Sequence, residues 1–140
     1  MWTNSGDEPG QVNFPTYLWL TPQRDLLVTD SLNFRIQRFD QNGDFEHLFG
    51  QHGDLPGNLA RPKGVATDSY GHIYVIDALL HSLQVFNNQG ELLISVGERG
   101  QLPGQFWLPN GVFVSTDNTI YIADSYNKRV QVFRYIGPEQ

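Results

Sequence analysis

The sequence contains no cysteine. That excludes disulfides, thiolate-held metal and a cysteine nucleophile. Positive charge is scarce as well: 9 Lys and Arg stand against 15 Asp and Glu, for a formal net charge of −6 and a pI near 5.0. The cations are scattered singly along the chain. A phosphate-binding surface needs them clustered, so no nucleic acid is expected as a partner. No apolar run approaches the roughly 18 residues that a spanning helix requires, which reads as a soluble chain without membrane insertion. The opening residues, Met1 to Glu8, have neither a basic n-region nor an apolar h-region and read as no signal peptide. The compartment stays open: cytoplasmic as written, periplasmic or extracellular for a fragment of an exported parent. Asn-x-Ser/Thr sequons and sustained helical periodicity are also missing.

What the sequence does have is a repeat. Pro15, Pro62 and Pro109 are spaced by 47 residues, and the same step links Asp30, Asp77 and Asp124. Gln37/Gln84/Gln131, Phe39/Phe86/Phe133 and Gly43/Gly90/Gly137 follow it, as do Gly6/Gly53/Gly100, Pro9/Pro56/Pro103 and Gly10/Gly57/Gly104. A fixed period of this size marks a repeat architecture. In the second copy, short segments rich in β-branched and aromatic residues cover 64–68, 73–77, 82–86 and 91–96. Gly, Asn and Asp turns separate them, so each reads as a strand. The run Ile73-Tyr74-Val75-Ile76 is continuously apolar, which suits a strand covered on both faces. Four strands per 47 residues is the arithmetic of a propeller blade.

Two stretches carry a family resemblance. Asp124-Ser125-Tyr126-Asn127-Lys128-Arg129-Val130-Gln131-Val132-Phe133 resembles the D-x-x-N-x-R-(I/V)-Q-V-F core of NHL repeats. Asp30-Ser31-Leu32-Asn33-Phe34-Arg35-Ile36-Gln37-Arg38-Phe39 nearly duplicates it. The segment 100–109 is similar to the family's G-x-x-P-G-x-F-x-x-P connection between blades. The resemblance implies an all-β propeller with three four-stranded blades, half of a six-bladed ring. Residues 1–13 would end a preceding blade, with blade 1 at 14–60, blade 2 at 61–107 and blade 3 at 108–140, its outer strand incomplete. It also implies a structural role for Asp30, Asn33 and Arg35, and for Asp124, Asn127 and Arg129, in tying the loop between second and third strands. The middle copy keeps Asp77 but places Leu80 and Ser82 where Asn and Arg are expected.

Three blades do not close a ring, and an open array leaves faces and an edge uncovered. The chain is one residue short of three repeats, cut within an outer strand where Pro138 is tolerable at an edge. Two solutions follow: a head-to-tail homodimer of six blades, or the rest of a longer propeller as partner.

Catalytic chemistry is hard to find. His47, His52, His72 and His81 occupy unrelated positions in the repeat. NHL-like amidating lyases gather metal-binding histidines near the start of the innermost strands, where this chain has Thr16, Lys63 and Asn110. No metal and no cofactor are therefore expected. Asp40-Gln41-Asn42-Gly43-Asp44 looks superficially like a calcium loop, but its counterpart 87–91 reads as a hairpin turn. Ser31 and Ser125 lack a base to activate them.

Two surfaces remain as candidates. Thr16, Lys63 and Asn110 converge at the channel mouth, where a small polar ligand could bind. Leu79, Leu80, His81, Phe106 and Trp107, beside Leu102, are expected on the loop face as an apolar partner site. The leading reading is a non-catalytic binding or assembly module, holding a protein or small ligand. The alternative is half of a lyase or hydrolase, with its metal or catalytic residues in missing blades or formed across a dimer.

Overall fold

The computed structural model describes residues 2–137. Its first sheet runs β1 (Pro15–Leu20), β2 (Leu26–Asp30), β3 (Arg35–Phe39) and β4 (Phe45–Phe49), with a single 3-10 turn, Ser31–Asn33, between β2 and β3. The second contains β5 (Pro62–Thr67), β6 (Ile73–Asp77), β7 (Ser82–Phe86) and β8 (Leu92–Val96). The third contains β9 (Val112–Val114), β10 (Ile120–Asp124) and β11 (Arg129–Phe133). Each sheet is an antiparallel meander in which neighbours in sequence are neighbours in space. Among the described residues the third sheet has three strands, and Pro138 lies outside them.

The 47-residue step reappears as register. Val28 pairs with Gln37, Val75 with Gln84, and Ile122 with Gln131. The short turns are built from local hydrogen bonds that compete well with longer pairing. Asp40 Oδ1 accepts from the Asn42 and Asp44 N–H groups, and Asn87 Oδ1 does the same for Gln89 and Glu91. The segment that resembled a calcium loop is therefore a hairpin turn.

The sheets stack face to face, and the apolar core sits at the two junctions. Leu27 and Ile36 of blade 1 pack on Leu59 of the connection and on Val65, Val75 and Phe86 of blade 2. Tyr74, Ile76, Leu83 and Val85 of blade 2 pack on Phe106, Val114, Ile120 and Ile122 from blade 3 and its connection. Every residue of β6 and β7 is consequently buried, while β10 alternates buried with exposed. The continuous apolar run and its two-sided cover correspond, as a strand between two neighbours demands. Among the described residues no helix is long and apolar enough to cross a membrane.

Candidate functional site

The recurring aspartates end the second strand of each blade and are fully buried. Asp30 Oδ2 accepts from Asn33 Nδ2 (3.0 Å), Arg35 Nε (2.8 Å) and Gln37 Nε2 (3.0 Å). Its Oδ1 accepts the Asn13 N–H at 2.6 Å. Asp124 repeats the set with Asn127, Arg129, Gln131 and the Trp107 N–H. Burial alone would raise the Asp124 carboxyl, but these donors together hold it below the ordinary aspartate range. The arginines reach further. Arg35 donates to the carbonyls of Asp7, Glu8 and Gln11, and Arg129 to those of Gln101, Leu102 and Gln105. Each guanidinium thus fastens the connection leading into its own blade.

In the middle blade Asp77 is met differently. Its carboxylate accepts the backbone N–H groups of Ala60, Arg61, Leu79 and Leu80. Ser82 stands where the arginine would be, and its Oγ is buried without a hydrogen-bond partner among the described residues. All three turns end on a left-handed residue that is not glycine: Phe34, His81 and Lys128, with φ of 58°, 50° and 58°. Of the three types only histidine is enriched in that conformation, and neither phenylalanine nor lysine announces it.

The inner strands come close together at their starts. A Cβ on Gly64 would lie 2.7 Å from the Val112 backbone nitrogen, so only glycine lets β5 and β9 approach this closely. The Gly64 N–H donates to the Asn110 carbonyl at 2.9 Å. From blade 1, the Tyr17 hydroxyl donates to Asn110 Oδ1, and Trp19 Nε1 to Thr67 Oγ1 at 3.0 Å. The Trp19 ring also meets Phe113 edge-on at 5.7 Å. Side chains of one inner strand therefore reach both neighbours.

Above this rim lies a cavity of about 330 Å³ lined by Arg61, Lys63, Leu79, Leu108, Asn110 and Ser125. Two of the three channel-mouth residues, Lys63 and Asn110, share it. Thr16 does not line it, and its hydroxyl instead pairs with Ser31 Oγ at 2.5 Å. Thr16 and Lys63 both sit at register shifts, where a bulge re-aims a side chain. Arg61 was missed by sequence reasoning, and only its place two residues before Lys63 could have flagged it.

The loop-face residues divide. Leu79 is 55% exposed and borders the cavity, and Leu80 is half-buried. His81 Nδ1 accepts the Leu108 N–H at 3.0 Å. Burial, and secondarily Arg99, lower its pKa below the usual histidine value, which suits a neutral acceptor. Trp107 is half-buried, its ring 4.7 Å from that of Tyr126 and beneath the Arg99 guanidinium at 4.6 Å. Phe106 corrects the expectation of an exposed partner residue, for it is wholly buried in the core between blades 2 and 3. It holds the same place as Val12 and Leu59, both also buried. That apolar position, recurring at a 47-residue step, was the signal that it belongs to the core.

A second polar cluster went unnoticed in the sequence. Asp68 Oδ2 lies 2.7 Å from His72 Nδ1 and accepts the Tyr74 hydroxyl at 2.8 Å. All three are buried, Asp68 and His72 in the hairpin joining β5 and β6 and Tyr74 at the start of β6, at the opposite end of the blade from the loop face. Burial, then the Asp68 carboxylate, push the Tyr74 hydroxyl to a higher pKa, so it is a donor and not a base. The spacing Asp-x-x-x-His-x-Tyr occurs in this copy alone. Among the described residues no group of three or more His, Cys, Asp or Glu could hold a metal ion.

Stacked four-stranded meanders with this inner rim define the class: a piece of a β-propeller. The family model for the NHL repeat matches residues 106–133, and the stretches 12–39 and 59–86 stand two steps and one step before it. One stretch of the chain thus matches the NHL repeat, and the chain as a whole has the fold of part of a β-propeller. Solved structures with the same fold include a virginiamycin B lyase from Staphylococcus aureus, at 13% identity and a TM-score of 0.60 over 89% of this chain and 42% of that one. A gluconolactonase from Xanthomonas campestris gives 17% and 0.59 over 80% and 35%. A protein of unknown function from Bacteroides thetaiotaomicron gives 15% and 0.67 over 84% and 34%. This chain spans about two fifths of the length of such structures or less, and at these identities they speak to fold alone. No curated protein matches the sequence.

Proposed function

We propose that the chain is a binding module whose ligand surface is the loop face around the channel mouth, and that the ligand is a small organic anion. One observation carries this reading. In a chain of net charge −6, Arg61 and Lys63 line one cavity at the rim with Asn110 and Ser125 and without a carboxylate among the lining residues. Two cations, a hydroxyl and an amide around a mainly preformed concavity suit a carboxylate or phosphate that also carries hydroxyl groups. Catalysis is not part of the reading, and the Asp68–His72–Tyr74 cluster lies at the opposite end of the blade from this cavity.

Calorimetric titration with a panel of small hydroxy-carboxylates and sugar phosphates tests it. Binding should weaken at least tenfold in Lys63→Ala and fall with rising salt. No heat from any member of the panel, or equal binding by the variant, would refute it. The alternative, half of a lyase or hydrolase, draws support from the fold shared with a lyase and a gluconolactonase. Stoichiometric metal in the purified protein would favour that alternative.

A further inference from the structure

The two open faces of the stack are matching ends of one interface that the chain already uses twice. On the forward side of blade 2, Tyr74, Leu83 and Val85 are covered by blade 3 and at most 4% exposed. One step of 47 later, Tyr121, Val130 and Val132 form the forward side of blade 3, and Val132 is 58% exposed. Phe113, on the same face, is exposed as well. The rearward side of blade 2 presents Leu59, Val65, Val75 and Phe86 to blade 1. One step earlier stand Val12, Leu18, Val28 and Phe39 on the rearward side of blade 1. Three of these cluster together, while Leu18 is 65% exposed, as is its neighbour on that face, Leu20, at 54%.

Phe113, Tyr121, Val130 and Val132 on one face, and Leu18 and Leu20 on the other, are apolar side chains left open to water, and such patches mark a docking surface. The internal junctions say which surface fits them: the forward face of one blade takes the rearward face of the next. A second copy of this chain carries both. We infer that two copies join head to tail, blade 3 of each against blade 1 of the other, giving two identical junctions and a closed ring of six blades. The contact is heterologous, and such contacts are stable as a small assembly only when the rotation closes. The ring size argues for two copies. Propellers typically close with about four to eight blades, so two copies supply a closable six while three would exceed that range. This inference is independent of the anion cavity, which lies within one copy.

Sedimentation equilibrium of the full chain between 1 and 100 μM reads the result, together with two variants. Val132→Lys alters the forward face of blade 3, and Leu18→Lys the rearward face of blade 1. Both sites are solvent-exposed in the single chain, so each variant keeps its own fold, checked by its circular dichroism. The unaltered chain should sediment at twice 15.9 kDa, and each variant alone at half that mass. A monomer throughout the range would overturn the inference, whether or not other blades occupy these faces. So would an open-ended series of polymers. A dimer that survives Leu18→Lys but not Val132→Lys would show forward faces meeting each other, and would overturn the head-to-tail arrangement.

Discussion

The turn after the second strand is built in two ways within one molecule. In blades 1 and 3 a buried aspartate is held by Asn, Arg and Gln side chains, and in blade 2 by backbone N–H groups. The common element is a carboxylate that closes the turn and caps the incoming connection. The guanidinium is not needed for that. Its distinct contribution is to pin the carbonyls of the connection, at 7–11 and at 101–105. The corresponding connection at 54–58 has no arginine across it and is kept by Gln84, which donates to the Asn58 carbonyl and accepts the Gly57 N–H. Blade 2 is also the one packed on both faces. Within one copy, then, the blade that lacks the clamp is the one with a neighbour on each face.

The strongest test of that contrast is to remove a clamp. Arg35→Ala leaves the Asp30 carboxylate buried without its cation and frees three carbonyls, and should cost about 3–5 kcal/mol in urea denaturation. Arg129→Ala should cost less, because that side chain is 31% exposed and its ion pair is partly screened by water. A cost of Arg35→Ala below about 1 kcal/mol would break the comparison, since it would reduce the clamp to an ordinary surface pair. The converse experiment installs the clamp in blade 2. Leu80→Asn with Ser82→Arg should slow hydrogen exchange in residues 51–59 by about tenfold, the worth of one charge-assisted hydrogen bond. Unchanged exchange there would separate the guanidinium from the order of the connection.

The smallest effect concerns His81, the left-handed residue of the middle turn. Its neutral ring accepts the Leu108 N–H, and its pKa is lowered in the fold. The unfolded chain then binds the proton first as pH drops through about 6.5. Stability from this group is complete above that pH and declines as the solution is acidified towards the lower, folded value. His81→Asn, which tolerates the left-handed conformation, should flatten the difference in unfolding free energy between pH 7 and pH 5 by about 0.5 kcal/mol or less, read by urea denaturation. An unchanged pH dependence would show that the ring nitrogen contributes nothing to the contact with blade 3.

Much of the fold was legible because the repeat is its own alignment. Four strands of the middle blade were read at 64–68, 73–77, 82–86 and 91–96, against β5 to β8 as observed. Turn chemistry at Asp40 and Asn87 was equally plain, since an Asx residue followed by glycine closes its own hairpin. What stayed hidden depends on contacts between copies. Phe106 looked like a loop residue beside Trp107, and only stacking of blade 3 on blade 2 buries it. The Tyr17–Asn110 bond joins residues 93 positions apart, which no local pattern encodes. Asp68, His72 and Tyr74 escaped notice because they occur in one copy, and attention to periodicity passes over what is not periodic. Arg61 and Lys63 have Phe14 and Thr16, or Leu108 and Asn110, as counterparts, so the charge of their cavity is also particular to blade 2.

The inner rim bears on how the molecule comes apart. In a linear array each unit touches only its neighbours, and melting can begin at either end and travel inward. Here Trp19 of the first blade hydrogen-bonds the second and packs on the third, and Tyr17 reaches the third directly. An end blade cannot peel away without breaking its ties to both others. The three blades are thereby joined into a single cooperative unit, and heat should unfold them together rather than by successive fraying.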